Sequence, residues 1–122
     1  MPSFSKRSVD RLNSCNEDIQ KVCHEVIKHY DFTVLCGHRG EEEQNEAFKQ
    51  GRSNAKWGQS KHNTTPSRAI DIAPYPVDWG DKQRFCRLAG LMQGTAYQLG
   101  IKLKWGGDFK SIEDMPHFEI ED

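Results

Sequence analysis

The chain has 122 residues, of which 35% are hydrophobic and 29% are charged, and its formal net charge is −1. This length suits one domain spanning 1–122, and the composition excludes a disordered chain. The near-neutral charge disfavours a nucleic-acid partner, and the lack of any apolar run of about 18 residues excludes membrane insertion by a spanning helix.

Four cysteines are spread along the chain, at Cys15, Cys23, Cys36 and Cys86, and none forms a CxxC pair. That spacing disfavours zinc-finger and thioredoxin-like sites and predicts reduced, mostly half-buried thiols. The N-terminal run MPSFSKRSVDRLN holds no apolar stretch that could serve as a secretory signal. We therefore expect the protein to be made and folded in a cytoplasm.

The first predicted elements are a helix and a short strand. Apolar residues recur at helical spacing over 16–30, and Asn16 is the expected N-cap. The run FTVLC at 32–36 is rich in β-forming residues and closes at Gly37. An amphipathic helix should therefore lead into a strand.

A second, polar helix is predicted over 41–50, because three glutamates in its first turn suit the positive end of a helix dipole. The segment 51–65 is dominated by small and polar residues and is typical of a loop. A short strand is expected at 69–73, where it is ended by Pro74.

The last third of the chain predicts a long helix and two strands. An apolar stripe runs over 81–99, and Gly100 is a natural residue to follow the helix. Apolar and basic residues alternate over 101–105, which indicates a half-buried strand, and a final strand is expected at 117–120. This order of elements favours an α+β fold with a small, largely antiparallel sheet.

Two of the five histidines stand beside carboxylates, whereas the other three are expected at the surface or at edges. In a strand at 117–120, side chains alternate, so His117 and Glu119 share one face while the apolar residues face the core. Asp114 precedes His117 by three residues, across a Met-Pro turn that could fold it toward the same site. One strand end thus presents an imidazole with two carboxylates nearby.

The strand at 69–73 carries a carboxylate between two isoleucines. The isoleucines share one face and Asp71 points to the other, nine residues after His62. A mononuclear catalytic zinc requires three protein ligands and an open position for water, and His62, Asp71 and His117 would supply the ligands. The alternative is an unrelated loop histidine and a half-exposed strand carboxylate.

Catalysis at such a centre needs a proton carrier and a cation. Zinc lowers the pKa of its bound water to about 7, and a nearby carboxylate must take the proton to the leaving amine. Asp114 is the candidate for that transfer. Arg39, in the turn at 37–40, is the candidate for stabilising the negative charge on the attacked carbonyl oxygen. Glu119 could orient a ligand from behind.

Two motifs in this chain occur together in one known family. The first, close to SxHxxGxAxD, corresponds to Ser60-Lys61-His62 followed by AIDIAPY at 69–75. The second, an acidic residue, two further residues and His-x-Glu, corresponds to DMPHFE at 114–119. Weaker matches are Gly-x-Arg at 37–39, followed by a helix that contains Gln44, and Trp-Gly-Gly-Asp at 105–108. With these motifs the chain resembles phage endolysins of the L-alanyl-D-glutamate peptidase type, which share the Hedgehog/DD-peptidase fold with D-alanyl-D-alanine carboxypeptidases and dipeptidases.

The resemblance implies a role for each matching residue. His62, Asp71 and His117 would bind zinc, for which manganese or cobalt could substitute. Asp114 would be the general base, and Arg39 would contact substrate or stabilise the oxyanion. The residues that would support the ligands from behind are Ser60 and Glu119.

One departure from the family pattern lies between the first two ligands. The motif places the Asp seven residues after the His, whereas Asp71 follows His62 by nine, with Thr-Thr-Pro-Ser-Arg at 64–68 in place of a Gly-containing turn. A longer surface loop costs little closure entropy, so metal binding should survive. The loop is expected to border the site and to affect substrate preference.

The resemblance implies a zinc-dependent peptidoglycan endopeptidase, an endolysin that hydrolyses the L-Ala–D-Glu bond of the stem peptide for host cell lysis. One alternative is a D-alanyl-D-alanine carboxypeptidase or dipeptidase, and another is a non-catalytic, zinc-stabilised binding module. The expected partner is the peptidoglycan stem peptide and the expected state is a monomer. Such an enzyme would wait in the host cytoplasm and act on the wall in the periplasm after release.

Overall fold

A computed structural model describes residues 2–109 and 113–121 of the chain. It contains four α-helices, four strands and two short 3₁₀ turns within these residues. The helices are α1 (Lys6–Leu12), α2 (Glu17–Val26), α3 (Glu41–Lys49) and α4 (Lys82–Gln98). The strands are β1 (Phe32–Cys36), β2 (Ala69–Pro74), β3 (Leu103–Trp105) and β4 (His117–Ile120), and the 3₁₀ turns are Lys61–Asn63 and Gly106–Asp108.

The four strands form one antiparallel sheet in the order β1-β2-β4-β3. The two central strands, β2 and β4, pair so that Asp71 stands opposite His117 and Ile70 stands opposite Phe118. The predicted α+β class with a largely antiparallel sheet is therefore confirmed. The pairing also brings together two motifs that are far apart in sequence.

The hydrophobic core lies between one face of the sheet and the helices α2 and α4. Ile70, Ile72 and Phe118 project into it and are at most 1% exposed. The apolar stripes of α2 and α4 cover them, as their helical periodicity predicts. Because side chains alternate along a strand, Asp71 and His117 face away from the core.

Helix ends follow the expected capping chemistry. The Asn16 side chain accepts a hydrogen bond from the backbone N–H of Ile19 at 3.0 Å. Gly100 follows α4 with φ of 73°, a conformation that favours glycine. The first predicted helix is shorter than expected and ends at Val26, because 27–30 form a turn in which the N–H groups of His29 and Tyr30 bond to the Val26 carbonyl.

The helix α1 was not predicted. Its buried residues are Ser8 and Leu12, so it has no apolar stripe for a pattern to reveal. Ser8 holds it against β1 instead, since its hydroxyl is 3.0 Å from the Thr33 hydroxyl and accepts the N–H of Val34 at 3.0 Å. Within the described residues, no helix is both long and apolar enough to cross a membrane.

Candidate metal centre and cleft

Three donor atoms from separate elements meet on the face of the sheet opposite the core. His62 Nε2, from the 3₁₀ turn, is 3.3 Å from Asp71 Oδ1 on β2. His117 Nδ1, on β4, is 3.1 Å from the same oxygen and 3.3 Å from His62 Nε2. A tetrahedral zinc ion with bonds of about 2.0–2.1 Å separates its ligand atoms by roughly 3.3 Å. The donor set therefore fits a zinc ion without rearrangement.

Hydrogen bonds on the far side of each imidazole determine which nitrogen faces the other donors. His62 Nδ1 donates to the Gly37 carbonyl at 2.8 Å, which leaves Nε2 with a lone pair. His117 Nε2 donates to Glu119 Oε1 at 2.8 Å, which leaves Nδ1 with a lone pair. When the two imidazoles are neutral, both lone pairs point to the space beside Asp71, as metal coordination requires.

The charge balance of the three groups favours a cation between them. Burial alone would raise the pKa of the Asp71 carboxyl, but its contacts with His117 and His62 hold that pKa well below its usual range. Burial would lower the pKa of each imidazole, but the interaction with Asp71 raises it to about 10 for His62 and about 9 for His117. Protons and a metal ion would thus compete for the same nitrogens.

Glu119 links the His117 imidazole to a lysine. Its Oε2 is 3.0 Å from Lys61 Nζ, which also donates to the Ile120 carbonyl at 2.7 Å. The hydrogen bond from His117 and, to a smaller extent, the contact with Lys61 lower the pKa of Glu119 to about 2 against the effect of burial. Glu119 therefore remains a carboxylate that can accept the His117 proton.

The backbone around His62 is braced by its neighbours in the 3₁₀ turn. Ser60 caps this turn, and its hydroxyl accepts the N–H of His62 at 3.2 Å. Asn63 accepts the N–H of Ser60 at 3.2 Å and donates to the Arg39 carbonyl at 3.1 Å. Ser60 thus lies behind a predicted ligand and acts on it through the backbone.

The longer turn at 64–68 is attached to the connection between α1 and α2 rather than to the cleft. The buried Ser67 donates its N–H to the Ser14 carbonyl and accepts the N–H of Asn16, both at 2.9 Å. Its hydroxyl is also 3.3 Å from the Gly37 carbonyl that orients His62. None of the five residues in this turn lines the cleft, contrary to the expectation that the turn borders the site.

Gly37 is packed too closely for any larger residue. A Cβ atom there would meet the Arg11 carbonyl and the Ser14 hydroxyl, and it would lie 3.1 Å from Cys15 Sγ. The unpredicted helix α1 and the residues after it therefore hold in place the carbonyl that fixes the His62 tautomer.

Arg39 lies beside the donor set, as its proposed role requires. Its Nη2 is 3.5 Å from Asp71 Oδ2, and its Nη1 donates to Gln44 Oε1 at 3.0 Å. Gln44 is fully buried, and its amide donates to the Ala55 carbonyl at 2.6 Å and the Ser53 hydroxyl at 3.0 Å. This glutamine fastens the guanidinium to the loop that forms one cleft wall.

Asp114 enters the cleft from the segment before β4. Its N–H donates to the Gly106 carbonyl at 2.9 Å, and its own carbonyl accepts the N–H of His117 at 3.1 Å. A Cβ atom on Gly106 would meet the Asp114 carbonyl and lie 3.0 Å from the Cβ atoms of Asp114 and His117. Burial and the charge of Asp71 raise the pKa of Asp114, as suits a proton carrier.

Cys36 is a further potential ligand that was not predicted. The donor atoms of Cys36, His62 and Asp71 lie within 4.8 Å of one another, since Cys36 pairs with Asp71 across β1 and β2. However, Cys36 Sγ is 4.0 Å from His62 Nδ1, the nitrogen that bonds to Gly37. The thiol therefore lies behind the imidazole, and His117 completes the tighter set.

The donor set forms part of the wall of a cleft of about 750 Å³. Arg39, Asp114 and Glu119 also line it, so all the residues with predicted chemical roles, including Ser60, reach one space. A cleft of this size can hold a ligand as large as a short peptide. It brings together a candidate metal site, an acid of raised pKa and a cation.

Comparison with known structures defines the class of protein. The crystal structure of the L-Ala D-Glu endopeptidase ChiX of Serratia marcescens is similar with a TM-score of 0.84 and 26% sequence identity. The match covers 98% of this chain and 90% of that chain. The fold is therefore that of an L-Ala D-Glu endopeptidase.

Sequence comparisons identify the family. The L-alanyl-D-glutamate peptidase of Escherichia phage T5 is 33% identical over 124 residues, covering 97% of this chain and 88% of the relative. The peptidoglycan L-alanyl-D-glutamate endopeptidase CwlK of Bacillus subtilis is 32% identical over 107 residues, covering 76% and 62% respectively. The family model for phage L-alanyl-D-glutamate peptidases matches residues 2–121, and the chain belongs to this family. The predicted resemblance is thus confirmed, and the chain is a peptidase.

Proposed function

We propose that this protein is an endopeptidase that hydrolyses the L-Ala–D-Glu bond of peptidoglycan stem peptides, with zinc bound by His62, Asp71 and His117. The observation that carries the proposal is the donor triangle of 3.1–3.3 Å, in which each imidazole turns inward the nitrogen opposite the one that bonds to Gly37 or Glu119. The names of the phage T5 and Bacillus relatives support the bond and the substrate.

The ligand types favour zinc, because two imidazoles and one carboxylate are a borderline-soft set. When bound, the ion would polarise the scissile carbonyl and lower the pKa of a water molecule to about 7. Glu119 and the Gly37 carbonyl would keep the two imidazoles oriented toward it, since each accepts the N–H on the opposite side of a ring.

Asp114 would carry the proton. Its carboxylate would accept a proton from the attacking water and donate it to the amide nitrogen of D-Glu as the C–N bond breaks. Burial and Asp71 raise the pKa of Asp114 and so bring it closer to neutral pH. A pKa near the working pH makes both proton transfers efficient.

Arg39 would stabilise the negative charge that develops on the carbonyl oxygen. Its guanidinium is restrained between Gln44 and Asp71, so little reorganisation is needed when that charge appears. The same cation could also bind a substrate carboxylate.

The proposed biological setting is lysis of the host cell by a monomeric, single-domain enzyme. It would accumulate in the host cytoplasm and reach the wall in the periplasm through a separate release step. Kinship with a phage T5 peptidase supports a phage origin for this activity.

The test is mass spectrometry of purified muropeptides digested by the zinc-loaded protein, with and without a chelator. The expected products are muramoyl-L-Ala and a peptide that begins with D-Glu, both absent with chelator. Loss of terminal D-Ala with the L-Ala–D-Glu bond intact would establish the carboxypeptidase alternative. Release of no peptide at all would establish the non-catalytic binding module.

A further inference from the structure

Trp79 is an exposed aromatic residue in the cleft. It precedes α4 and is 61% exposed, although a tryptophan usually buries most of its surface. Its ring stacks on the buried Phe85 with centroids 5.5 Å apart and an interplanar angle of 19°. One face of the indole is thus anchored to the core, and the side chain lines the same cleft as the metal donors.

The chain around Trp79 keeps the ring in place. The Asp78 side chain accepts a hydrogen bond from the N–H of Gly80 at 3.0 Å. The backbone carbonyl of Asp78 accepts a hydrogen bond from the N–H of Asp81 at 3.1 Å. Asp81 in turn caps α4 by accepting the N–H of Arg84 at 3.3 Å. The indole therefore projects from a structured turn rather than from a loose loop.

Polar side chains line the same cleft. Arg52, Asn54 and Gln59 line it and belong to the loop after α3. Gln44 links this loop to Arg39 through hydrogen bonds. A rigid aromatic face combined with amide and guanidinium groups is the chemistry that recognises a sugar, whose axial C–H groups stack on the ring while its hydroxyl and acetamido groups form hydrogen bonds.

We propose that Trp79 is a saccharide-binding platform that holds the N-acetylmuramic acid to which the scissile L-alanine is attached. This inference rests on the proposed function, because the muramic acid is the group on the amino side of the L-Ala–D-Glu bond. A lactyl group and one alanine separate the sugar ring from that bond, a span of roughly 7–10 Å. A cleft of about 750 Å³ can hold the sugar together with the dipeptide.

The kinetic test compares two substrates that differ in the sugar alone: muramoyl-L-Ala-D-Glu-diaminopimelate and N-lactoyl-L-Ala-D-Glu-diaminopimelate. We expect the Trp79→Ala variant to lose about tenfold in kcat/KM on the first substrate and less than about twofold on the second. Trp79→Phe should retain most of the preference for the sugar. Equal losses on both substrates, or no loss on either, would overturn the proposal.

Trp57 provides a matched control. It is also an exposed tryptophan, at 39%, and it is not among the residues that line the cleft. Trp57→Ala should therefore leave the ratio of the two kcat/KM values unchanged. A ratio that falls as much in Trp57→Ala as in Trp79→Ala would also contradict the assignment.

A binding measurement separates this proposal from the proposed function. Muramoyl-L-Ala contains no L-Ala–D-Glu bond, so its affinity can be measured by calorimetry whether or not the protein cleaves that bond. We expect wild-type protein to bind it about tenfold more tightly than Trp79→Ala. Equal affinities would overturn the platform, whereas failure to cleave either substrate would overturn the proposed function alone.

Discussion

Asp71 Oδ1 lies 3.1 Å from His117 Nδ1 because the two residues stand directly opposite each other on adjacent central strands. Two residues that are 46 positions apart are thus placed by sheet register, and His62 joins them from a 3₁₀ turn. A metal ion bound by all three would link parts of the chain that separate on unfolding.

Metal removal should therefore reduce both activity and stability. Chelation is expected to abolish peptide release and lower the melting temperature, and zinc should restore both. A ligand at one hundred times its Kd stabilises the native state by about 2.7 kcal/mol. Thermal denaturation with and without zinc provides the measurement. His62→Ala should lose the zinc-dependent shift, and the exposed His24→Ala should keep it; an identical shift in both variants would contradict the assigned ligand.

Asp114→Asn should separate zinc binding from catalysis. The amide keeps the size of the side chain but cannot carry the proton, so kcat should fall by about 10²–10⁴-fold. Zinc content, measured by atomic absorption, should stay at one ion per chain. Asp108→Asn changes an exposed acid in the preceding turn and should retain activity. Full activity in Asp114→Asn would exclude Asp114 as the proton carrier.

Gly106→Ala should disturb the site because Gly106 packs directly against Asp114 and His117. Its methyl group would press on the Asp114 carbonyl and on the Cβ of His117, at a cost of about 1–3 kcal/mol. We expect a lower midpoint in urea denaturation together with a lower kcat.

Gly90→Ala is a control for Gly106→Ala, and the opposite effect on stability is expected. It lies on the exposed side of α4, where a Cβ would meet nothing within 4 Å. Gly90→Ala should raise the free energy of unfolding by about 0.5–1 kcal/mol without changing kcat. Similar behaviour of the two alanine variants would show that the close contact at Gly106 has no consequence.

Lys61→Met should weaken zinc binding without removing a ligand. Loss of the ammonium frees one oxygen of Glu119, so the His117 imidazole is held less firmly. Changes behind a ligand typically cost about 10–100-fold in metal affinity. Competition with a chromogenic chelator measures this effect. Lys61→Arg should recover most of the affinity, and the exposed Lys102→Met should match wild type; an unchanged affinity in Lys61→Met would rule out this support.

The cysteines should differ strongly in reactivity toward a thiol reagent. Cys86 is exposed and Cys36 is half-buried, whereas Cys15 and Cys23 are buried, so the prediction of mostly half-buried thiols was wrong. Burial raises the pKa of Cys15 to about 12 and that of Cys23 still further, so neither offers a thiolate. Cys86 should react rapidly in the native protein, and the two buried thiols after denaturation alone. Rapid labelling of Cys15 or Cys23 in the native protein, located by mass spectrometry of the labelled peptides, would contradict this order.

Much of the fold could be predicted because its signals are local. Helical periodicity marked α2 and α4, and alternation in β2 and β4 indicated which residues leave the core. The strand β3 is shorter than its alternating pattern, since the first of those residues bonds back to α4, with the Ile101 N–H 2.8 Å from the Ala96 carbonyl.

The features that could not be predicted from the sequence depend on contacts between residues that are far apart in the chain. The helix α1 buries a serine that finds its partners on β1, and no periodic pattern reports such a partner. Cys36 reaches the site through a register shift in the β1–β2 pairing, which the sequence does not reveal. Gln44 matches the family pattern, but its hydrogen bonds to the next loop depend on a buried amide whose acceptors the sequence does not reveal.

The attachment of Ser67 to the α1–α2 connection makes the preceding residues available for protein engineering. Thr64, Thr65 and Pro66 are exposed and lie between two fixed points, outside the cleft. We therefore expect length variation there to be accommodated on the outer surface without moving His62 or Asp71. A fluorophore or an affinity peptide introduced at Thr65 would give a handle for following the enzyme on a cell wall while its catalytic groups remain undisturbed.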